Sequence, residues 1–499
     1  MIELGNLIVR GFTTMAKFTE LIPSPKGYWG NGTLGFYEPS VCAGREFARE
    51  TDSFIGYAKK IFGIDVAKSE NAAITIKICD CLSKGEYRLE IGEKEGKIAV
   101  KAGDSEGVNN AFSTILQLLD IRDGKLFLPK GVVVDKAECH WRGLLIDCAR
   151  RRHSVELLKK YIDMCRFYKV KYLHIHFTDD ENFTLPSKAY PNLTTPENCY
   201  SYEEIAELDT YAHKNGVSII PELDTPGHST AMLKAYPEIF GKEGIIKFTK
   251  GAIEATKVLY RELCEMFPHS EYIHMGGDES RLGWWLEEES LSYGESVGIS
   301  VNDEAPGMTP NEYVMLRFLA TFIKEMAETI TACGKKPAVW EGFNKETNDI
   351  IPKNVTVMVF DSSYQLAPSL CDAGFEVINC AWFPLYVVIP YWIYTPKNCF
   401  DWDVNSFGTI NELSPYKNGV MRYDSLPTIG GGQLCSWGDG LKCEYKNPED
   451  GLRQELIDIA KRLPAVAENT WNREKRRNYE SFLVAMDEHS EKVAKLLED

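Results

Sequence analysis

Two adjacent carboxylates, Asp278 and Glu279, follow a short apolar run and the glycine pair Gly276-Gly277. Neighbouring residues of a strand point to opposite faces, so both side chains enter one pocket only where the backbone leaves strand geometry, which glycine permits. A lone Asp-Glu pair is usually part of a solvated loop. After an apolar strand, two carboxylates suit glycosidic-bond hydrolysis, in which one protonates the leaving oxygen and the other stabilises or attacks the anomeric carbon. Crowding also raises the pKa of one carboxyl group, which leaves a neutral acid near neutral pH.

Polar residues also follow the neighbouring predicted strands. The first four predicted strands end in titratable residues, and the fifth ends in a tryptophan. Barrel enzymes build their active sites at the C-terminal ends of the strands, so this repeated placement indicates one composite site. The residues concerned are Asp147 and Arg150, Asp179 and Asp180, Glu222, Asp224 and His228, Asp278 and Glu279, and Trp340.

From residue 139 onward the chain alternates apolar strands with amphipathic helices. Strands that are buried on both faces and joined by helices predict a parallel sheet, and about eight such units close into a (β/α)8 TIM-type barrel of the α/β class. A doubly wound open sheet is the alternative, disfavoured because no glycine-rich dinucleotide turn follows the first strand. The predicted strands are 141–148, 170–177, 217–223, 272–275, 337–340, 355–360, 376–380 and 432–436.

The segment before the barrel has a different pattern. Alternating runs at 73–79, 87–91 and 97–101, followed by an amphipathic stretch at 107–119, predict a small α+β domain. The strand pairing within residues 1–60 cannot be derived from the pattern. We therefore expect an N-terminal region with an α+β domain, a catalytic barrel, and a C-terminal helix packing on the barrel. Their predicted bounds are 1–138, 139–462 and 463–499.

Composition excludes several classes of partner. The net charge of -17 argues against nucleic-acid binding, which needs a concentrated basic face. The 14 cysteines are scattered without a Cys-x-x-Cys pair, so we expect free thiols and no metal site. No long apolar stretch predicts a membrane span, and the start lacks a signal-peptide pattern. Together these features predict a cytoplasmic protein with neither a membrane partner nor a cofactor.

Four motifs occur in order along the barrel. They are Arg142-Gly-Leu-Leu-Ile-Asp147-Cys-Ala-Arg150, Leu173-His-Ile-His176-Phe-Thr-Asp179-Asp180, Asp224-Thr-Pro-Gly-His228 and His274-Met-Gly-Gly-Asp278-Glu279. In order and spacing this set resembles the family-20 glycoside hydrolases, the β-N-acetylhexosaminidases. The resemblance covers roughly residues 70–440 and implies a TIM-type barrel after a small α+β domain.

The resemblance implies a substrate-assisted, retaining mechanism. It assigns Glu279 as general acid and then base, and Asp278 as the residue that orients the 2-acetamido group of the substrate. The acetamide oxygen attacks the anomeric carbon, and an oxazolinium intermediate forms without a protein nucleophile. Tyr386 matches the tyrosine that hydrogen-bonds the acetamide oxygen.

The remaining assignments concern sugar binding. Arg150 matches the arginine that binds the 3- and 4-hydroxyl groups, and Asp179 with His228 matches the couple behind the acid. His176 and His274 are interpreted as core histidines. Aromatic side chains pack against the acetamide methyl group and the C–H faces of the ring. The predicted walls are Trp340, Trp402, Trp437 and Phe360, the last standing where many members have tryptophan.

Two departures from the family pattern bear on specificity. Asp439 replaces the usual glutamate after Trp437, and Val388 stands where many members have Asp or Asn. The leading hypothesis is an exo-hydrolase of terminal β-GlcNAc or β-GalNAc acting on small or oligosaccharide substrates. A disaccharide-releasing or 6-substituted-GlcNAc-specific relative is the second. A carbohydrate-binding protein that retains the pocket without turnover is the third. The oligomeric state stays open.

Overall fold

The computed structural model describes residues 16–30, 33–42, 44–242, 244–280, 286–388, 394–409, 419–439 and 445–498. The chain forms two compact units, one of residues 1–137 with 475–499 and the other of residues 138–474. None of the described helices is long and apolar enough to span a membrane.

The first unit is an α+β domain, with helices α1 (Ala48–Phe62) and α2 (Ser105–Leu118). A seven-stranded mixed sheet has the order β1-β10-β6-β7-β5-β3-β4, and a small antiparallel sheet has the order β2-β9-β8. Alternating burial along β6 and β7 places one face of the larger sheet against a core. The strands are β1 (Gly27–Trp29), β2 (Leu34–Tyr37), β3 (Ser40–Cys42), β4 (Ala67–Lys68), β5 (Ile74–Ile78), β6 (Tyr87–Ile91), β7 (Ile98–Ala102), β8 (Asp120–Arg122), β9 (Lys125–Pro129) and β10 (Gly131–Asp135).

The second unit is a closed parallel barrel of eight strands, which confirms the predicted fold class. The strands pair in chain order, and the last pairs with the first from Trp141↔Gly431 to Ile146↔Ser436. Every residue of the first strand is buried, as expected for a parallel strand covered on both faces. The barrel strands are β11 (Trp141–Asp147), β12 (Tyr172–His176), β13 (Ser218–Glu222), β14 (Tyr272–His274), β15 (Lys336–Trp340), β16 (Thr356–Val359), β17 (Glu376–Asn379) and β21 (Ile429–Ser436), with the short strands β18 (Tyr386–Val387), β19 (Ser406–Gly408) and β20 (Val420–Arg422) between the last two.

Helices follow most of the barrel strands, and the longer ones that follow β11, β12 and β13 begin at side-chain caps. Ser201 and Thr309 each form a capping box with a glutamate three residues later. A 3₁₀ turn, Lys345–Thr347, stands between β15 and β16. The helices are α3 (Val155–Phe167), α4 (Tyr202–Lys214), α5 (Thr230–Ala235), α6 (Pro237–Phe240), α7 (Lys250–Met266), α8 (Glu288–Ser296), α9 (Pro310–Ala332), α10 (Ala367–Asp372), α11 (Trp382–Leu385), α12 (Pro396–Asp401) and α13 (Pro448–Trp471).

The C-terminal helix α14 (Tyr479–Leu497) corrects the expectation that residues 463–499 pack on the barrel. α13 continues to Trp471 and packs on β21, whereas α14 belongs to the first unit and packs on α1. The His489 ring bonds the Glu20 carbonyl oxygen at 3.0 Å. The apolar stripe of α14 therefore completes the core of the α+β domain. Periodicity alone predicts that this stripe is buried, but it does not predict which unit buries it.

The cysteines also depart partly from expectation. Cys79 and Cys81 form a disulfide in the first unit, although the scattered spacing predicted thiols throughout. Eleven other cysteines among the described residues are free.

Candidate active site

The carboxylates Asp278 and Glu279 lie in the loop that follows β14. Gly276 and Gly277 adopt φ angles of +70° and +96°, in the region that glycine favours. A Cβ atom at Gly276 would lie 1.7 Å from a carboxylate oxygen of Asp224. The chain therefore leaves strand geometry at the glycine pair, as the sequence predicted, and any side chain at Gly276 would displace it.

Both carboxylates face the imidazole of His228. Its Nε2 atom lies 3.8 Å from Asp278 Oδ2 and 3.6 Å from Glu279 Oε2. His228 and Glu279 have φ angles of +44° and +47°, which are uncommon for residues with a side chain and recur at functional sites. The strained backbone thus brings three titratable groups together at one point of the barrel rim.

The two carboxylates differ in environment. Asp278 is 14% exposed, and its buried Oδ1 atom has no hydrogen-bond partner among the described residues. Burial raises the pKa of Asp278, and the negative charges of Glu222 and Glu279 add to this. Glu279 is 54% exposed, and its contact with the His228 imidazole lowers its pKa. One carboxyl group of the crowded pair therefore has a raised pKa, as the sequence predicted. That group is Asp278, whereas the family resemblance assigns the role of acid to Glu279.

His228 and Asp179 form the couple that the sequence predicted. His228 Nδ1 lies 3.3 Å from Asp179 Oδ1. Burial opposes charge on His228, but the hydrogen bond to Asp179 and the nearby Glu279 carboxylate hold its pKa well above the ordinary value. Burial also opposes charge on Asp179, yet hydrogen bonds from His176 and His228 hold its pKa well below its ordinary value. The couple is therefore an ion pair next to Glu279.

Arg150 lies beside this couple with its guanidinium largely buried. Its Nη1 atom is 2.9 Å from Asp147 Oδ2, and its Nη2 atom is 2.8 Å from Asp179 Oδ2. Its Nε atom is 3.1 Å from the exposed carboxylate of Asp439. The guanidinium also lies over the Trp437 ring, 5.5 Å from its centroid. These contacts fix a fork of donors in one plane at the rim, which suits vicinal hydroxyl groups.

Four of the predicted aromatic residues come together. The ring of Trp340 lies 6.1 Å from that of Phe360 and 5.9 Å from that of Trp437, and Tyr386 lies 5.9 Å from Trp437. The indole Nε1 of Trp437 is buried with no hydrogen-bond partner among the described residues. Trp402 is not part of this cluster. It is buried against Gly432 of β21 and donates its indole N–H to the Ser406 carbonyl oxygen at 3.0 Å.

The sequence placed Glu222 at a strand end without assigning it a role, and it predicted His176 to be a core histidine. Glu222 accepts the indole N–H of Trp340 at 2.6 Å, and its other oxygen lies 2.6 Å from His176 Nδ1. His176 Nε2 lies 2.8 Å from Asp179 Oδ2, so the ring bridges two carboxylates. The sequence did contain a signal for His176. It is the last residue of β12, and Asp179 follows three residues later, so the His176 side chain can contact the loop after the strand. His274 is buried in the same cluster, 2.9 Å from Glu222.

Three overlapping groups in this region have the residue types of a metal site, and the donor atoms of each group lie within 4.8 Å of one another. They are His174 with Glu222 and His274, His176 with Glu222 and Asp224, and Asp179 with Asp224 and His228. The Glu222 oxygens, however, already face the N–H groups of Trp340 and His176, and the Asp179 oxygens face His176 and His228. A cation would have to displace these donors, so the geometry fits a hydrogen-bonded cluster.

Glu341 and its neighbours were also missed. The buried Glu341 carboxylate accepts backbone N–H groups of Ser362 at 2.8 Å and Tyr364 at 3.0 Å. Burial raises the pKa of Glu341 to about 8. Burial and the negative charges of Asp278 and Glu279 raise the pKa of the Tyr364 phenol, which places it near the pair. Glu341 therefore anchors a loop that borders the site.

Comparison with known proteins agrees with this geometry. The family model described as "Glycosyl hydrolase family 20, catalytic domain" matches residues 139–474, and that described as "Glycosyl hydrolase family 20, domain 2" matches residues 20–136. The chain belongs to glycosyl hydrolase family 20. All the predicted site residues lie within the family-20 catalytic domain.

Related family-20 proteins include two from bacteria. A β-hexosaminidase of Vibrio furnissii is 28% identical over 345 residues, which are 62% of this chain and 53% of the relative. A β-hexosaminidase of Akkermansia muciniphila is 29% identical over 289 residues, 52% of this chain and 56% of the relative. The matches thus span little more than half the length of these relatives.

The same fold is found in solved family-20 structures. The exo β-N-acetylglucosaminidase of Vibrio harveyi in complex with N-acetylglucosamine has a TM-score of 0.79 at 21% identity, covering 98% of this chain and 78% of that one. This likeness concerns the fold, so the specificity of this family-20 chain has to be argued from its own side chains.

Proposed function

We propose that this chain is a retaining exo-β-N-acetylhexosaminidase that removes terminal β-GlcNAc or β-GalNAc through an oxazolinium intermediate. The observation that carries the proposal is the buried Oδ1 atom of Asp278, an acceptor without a hydrogen-bond partner among the described residues, next to Glu279. A buried polar atom without a partner is costly, which points to a ligand that supplies a donor.

A 2-acetamido group has the chemistry to satisfy this site. Its N–H group can donate to Asp278 Oδ1, and its carbonyl oxygen can accept the hydroxyl proton of Tyr386. The acetamide methyl group then packs among the rings of Trp340, Phe360 and Trp437. With the carbonyl oxygen held under the anomeric carbon, attack within the substrate replaces a protein nucleophile. The negative charge of Asp278 stabilises the positive charge that develops on the acetamide nitrogen.

In this proposal the proton affinity of Glu279 depends on whether a sugar occupies the site. Glu279 is half exposed, and its contact with the His228 imidazole lowers its pKa. A sugar bound over Asp278 excludes water from Glu279, which raises the pKa of Glu279 and favours the neutral acid. Departure of the aglycone admits water, and Glu279 then acts as the base that activates it.

Arg150 and Asp439 supply the polar contacts for the sugar hydroxyl groups. The Arg150 fork suits the 3- and 4-hydroxyl groups, and the exposed Asp439 carboxylate at 3.1 Å from it can accept a further hydroxyl proton. The substrate class is supported by the Vibrio furnissii and Akkermansia muciniphila relatives, which are both named β-hexosaminidases.

The test is hydrolysis of aryl β-glycosides that differ only at C2. We expect turnover of the β-GlcNAc and β-GalNAc glycosides and at least a thousandfold lower kcat/KM for the β-glucoside, which lacks the acetamide nucleophile. A thiazoline analogue of the oxazolinium should inhibit competitively. Comparable rates with the β-glucoside, or no turnover of any β-N-acetylhexosaminide, would contradict the proposal.

A second candidate specificity rests on Val388. This apolar residue packs against the aromatic cluster two positions after Tyr386, so it offers neither a hydrogen bond nor a negative charge to the sugar. A site without a carboxylate there would accept an anionic 6-substituent more readily. The test compares kcat/KM for 6-sulfated and unsubstituted β-GlcNAc in the wild type and in Val388→Asp. If the ratio of kcat/KM for the 6-sulfated to the unsubstituted substrate is low in the wild type and unchanged in Val388→Asp, Val388 has only a packing role.

A further inference from the structure

Carboxylates and imidazoles alternate from the barrel interior to the rim. Glu222 Oε2 lies 2.6 Å from His176 Nδ1, and His176 Nε2 lies 2.8 Å from Asp179 Oδ2. Asp179 Oδ1 lies 3.3 Å from His228 Nδ1, and His228 Nε2 lies 3.6 Å from Glu279 Oε2. These five residues, called the relay below, come from β13, from β12 and the loop after it, and from the loops after β13 and β14.

The hydrogen bonds assign the protons at the inner end. Gln433 Nε2 donates to His174 Nδ1 at 3.1 Å, so His174 carries its proton on Nε2, which faces Glu222 at 3.2 Å. Burial lowers the pKa of His174 to about 4, so His174 is neutral at pH 7. His176 faces a carboxylate with each ring nitrogen, and both nitrogens can donate only in the imidazolium form.

His176 also fixes the orientation of Asp179. Asp179 Oδ2 is held from two sides, by His176 Nε2 at 2.8 Å and by Arg150 Nη2 at 2.8 Å. Asp179 Oδ1 accepts the backbone N–H of Asp180 at 2.6 Å and faces His228. A carboxylate held in this way has little freedom to rotate, so the ring of His228 is directed at Glu279.

We propose that Glu222 and His176 are positioning residues for Glu279: they hold Asp179, and through it the His228 cation, so that buried residues of the barrel interior decide how readily Glu279 gives up its proton. The inference rests on the proposed role of Glu279 as general acid. Neither residue contacts the sugar in this arrangement, because His176 is buried and Glu222 lies deeper, behind Trp340.

Other charged groups face the imidazoles of His176 and His228 and affect the charge of these rings. Negative groups outnumber positive ones, so both rings are held as cations after burial has opposed their charge. The groups around His176 are Glu222, Asp179, Asp147, Asp224, Asp278 and neutral His174, and those around His228 are Asp179, Asp180, Asp224, Asp278 and Glu279.

The relay makes an ordered prediction for the pH dependence of kcat/KM. The basic limb reports loss of the proton from Glu279. His176→Asn removes a cation and the donor that holds Asp179, so the basic limb should move to higher pH by about one unit. Glu222→Gln should shift it in the same direction by roughly half as much, because neutral His176 can still donate from Nε2 to Asp179.

His174→Asn is the matched control, since it removes a neutral buried imidazole from the same strand and changes no charge. It should lower the melting temperature but leave the basic limb in place. An unmoved basic limb in both relay variants, or an equal shift in His174→Asn, would overturn the inference. Absence of hydrolysis in the wild type would instead contradict the proposed function.

A measurement independent of turnover covers variants that lack activity. The chain has nine histidines, so ring 15N labelling gives a spectrum that single substitutions can assign. At pH 7 we expect both ring nitrogens of His176 and of His228 to carry protons in the wild type. In Glu222→Gln the His176 ring should titrate at lower pH. A neutral His176 ring in the wild type at pH 7 would overturn the relay whatever the activity.

Discussion

Glu279 and Asp278 are adjacent in sequence, yet one is half exposed at the rim and the other is largely buried. Exposure suits a group that exchanges a proton with a leaving oxygen and then with water. Burial suits a group whose charge has to act strongly on a nearby cation, because the local dielectric is low. Substitution of the two residues should therefore affect different kinetic parameters.

Glu279→Gln should abolish proton donation while leaving the shape of the site. We expect kcat for an unactivated β-GlcNAc disaccharide to fall by about 10²–10⁴-fold, with a much smaller loss for an aryl glycoside whose leaving group needs no protonation. The comparison is kcat on the two substrates in both proteins. Equal losses on both would remove Glu279 from the role of acid.

Asp278→Asn should keep an acceptor oxygen but lose the charge that stabilises the oxazolinium. We expect kcat to fall by about 10²–10³-fold with KM changed by no more than roughly threefold, because the lost interaction develops in the transition state. Steady-state kinetics on an aryl β-GlcNAc glycoside measure both parameters. A change confined to KM would mean that Asp278 merely binds the ground state.

At the scale of elements, the loops after β15 and β16 are tied together by one side chain. The Glu341 carboxylate accepts backbone N–H groups from Ser362 and Tyr364, and Ser362 has a φ of +60°. A Cβ atom at Gly342 would lie 2.0 Å from the Gly277 carbonyl oxygen, so these loops also approach the backbone that precedes Asp278 closely.

Ionisation of Glu341 should make stability depend on pH. Burial raises the pKa of Glu341 from 4.5 to about 8, so the folded chain holds a proton that the unfolded chain has lost in this range. The stabilisation is complete below about pH 4.5 and is lost as the pH rises to about 8. We expect the free energy of unfolding of the wild type, relative to that of Glu341→Gln, to fall between pH 5 and pH 8.5. Urea unfolding of both proteins at several pH values measures this, and a constant difference would contradict it.

At the scale of the whole molecule, the first unit is assembled from both ends of the chain. α14 contributes buried Phe482 and Leu496 to it, and Lys492 Nζ donates to the Leu116 carbonyl oxygen at 3.3 Å. The barrel lies between these segments in sequence, so the first unit is complete only after the last residues have been synthesised.

Phe482→Ala should destabilise the first unit and spare the barrel. Phe482 is 1% exposed, so its truncation should cost about 3–5 kcal/mol, whereas Leu483→Ala, at 45% exposure, should cost less than about 0.5 kcal/mol. Hydrogen exchange should show loss of protection in α1 and α2 in Phe482→Ala alone, with β11 to β17 unchanged. Equal exchange in the two variants would place α14 outside the core of the first unit.

Local sequence patterns were sufficient to predict the barrel and most of the residues at its rim. Strand-helix alternation and polar residues after each strand are local patterns, and in a parallel barrel all C-terminal strand ends meet at one face, so Asp147, Asp179, His228 and Asp278 had to approach one another. The pair Gly276-Gly277 likewise predicted the turn that brings Asp278 and Glu279 together, since no other residue type adopts positive φ angles as readily as glycine.

The remaining features of the site could not be predicted from local patterns, because they depend on which buried groups contact one another in the folded chain. Burial gave the raised pKa to Asp278, while contact with His228 lowered that of Glu279. The strand pattern around His176 predicts a core residue, and only its contacts with the two carboxylates of Glu222 and Asp179 show that it is part of the relay. The helix α14 was expected on the barrel and belongs to the first unit for the same reason, since an apolar stripe requires burial but does not specify the surface that provides it.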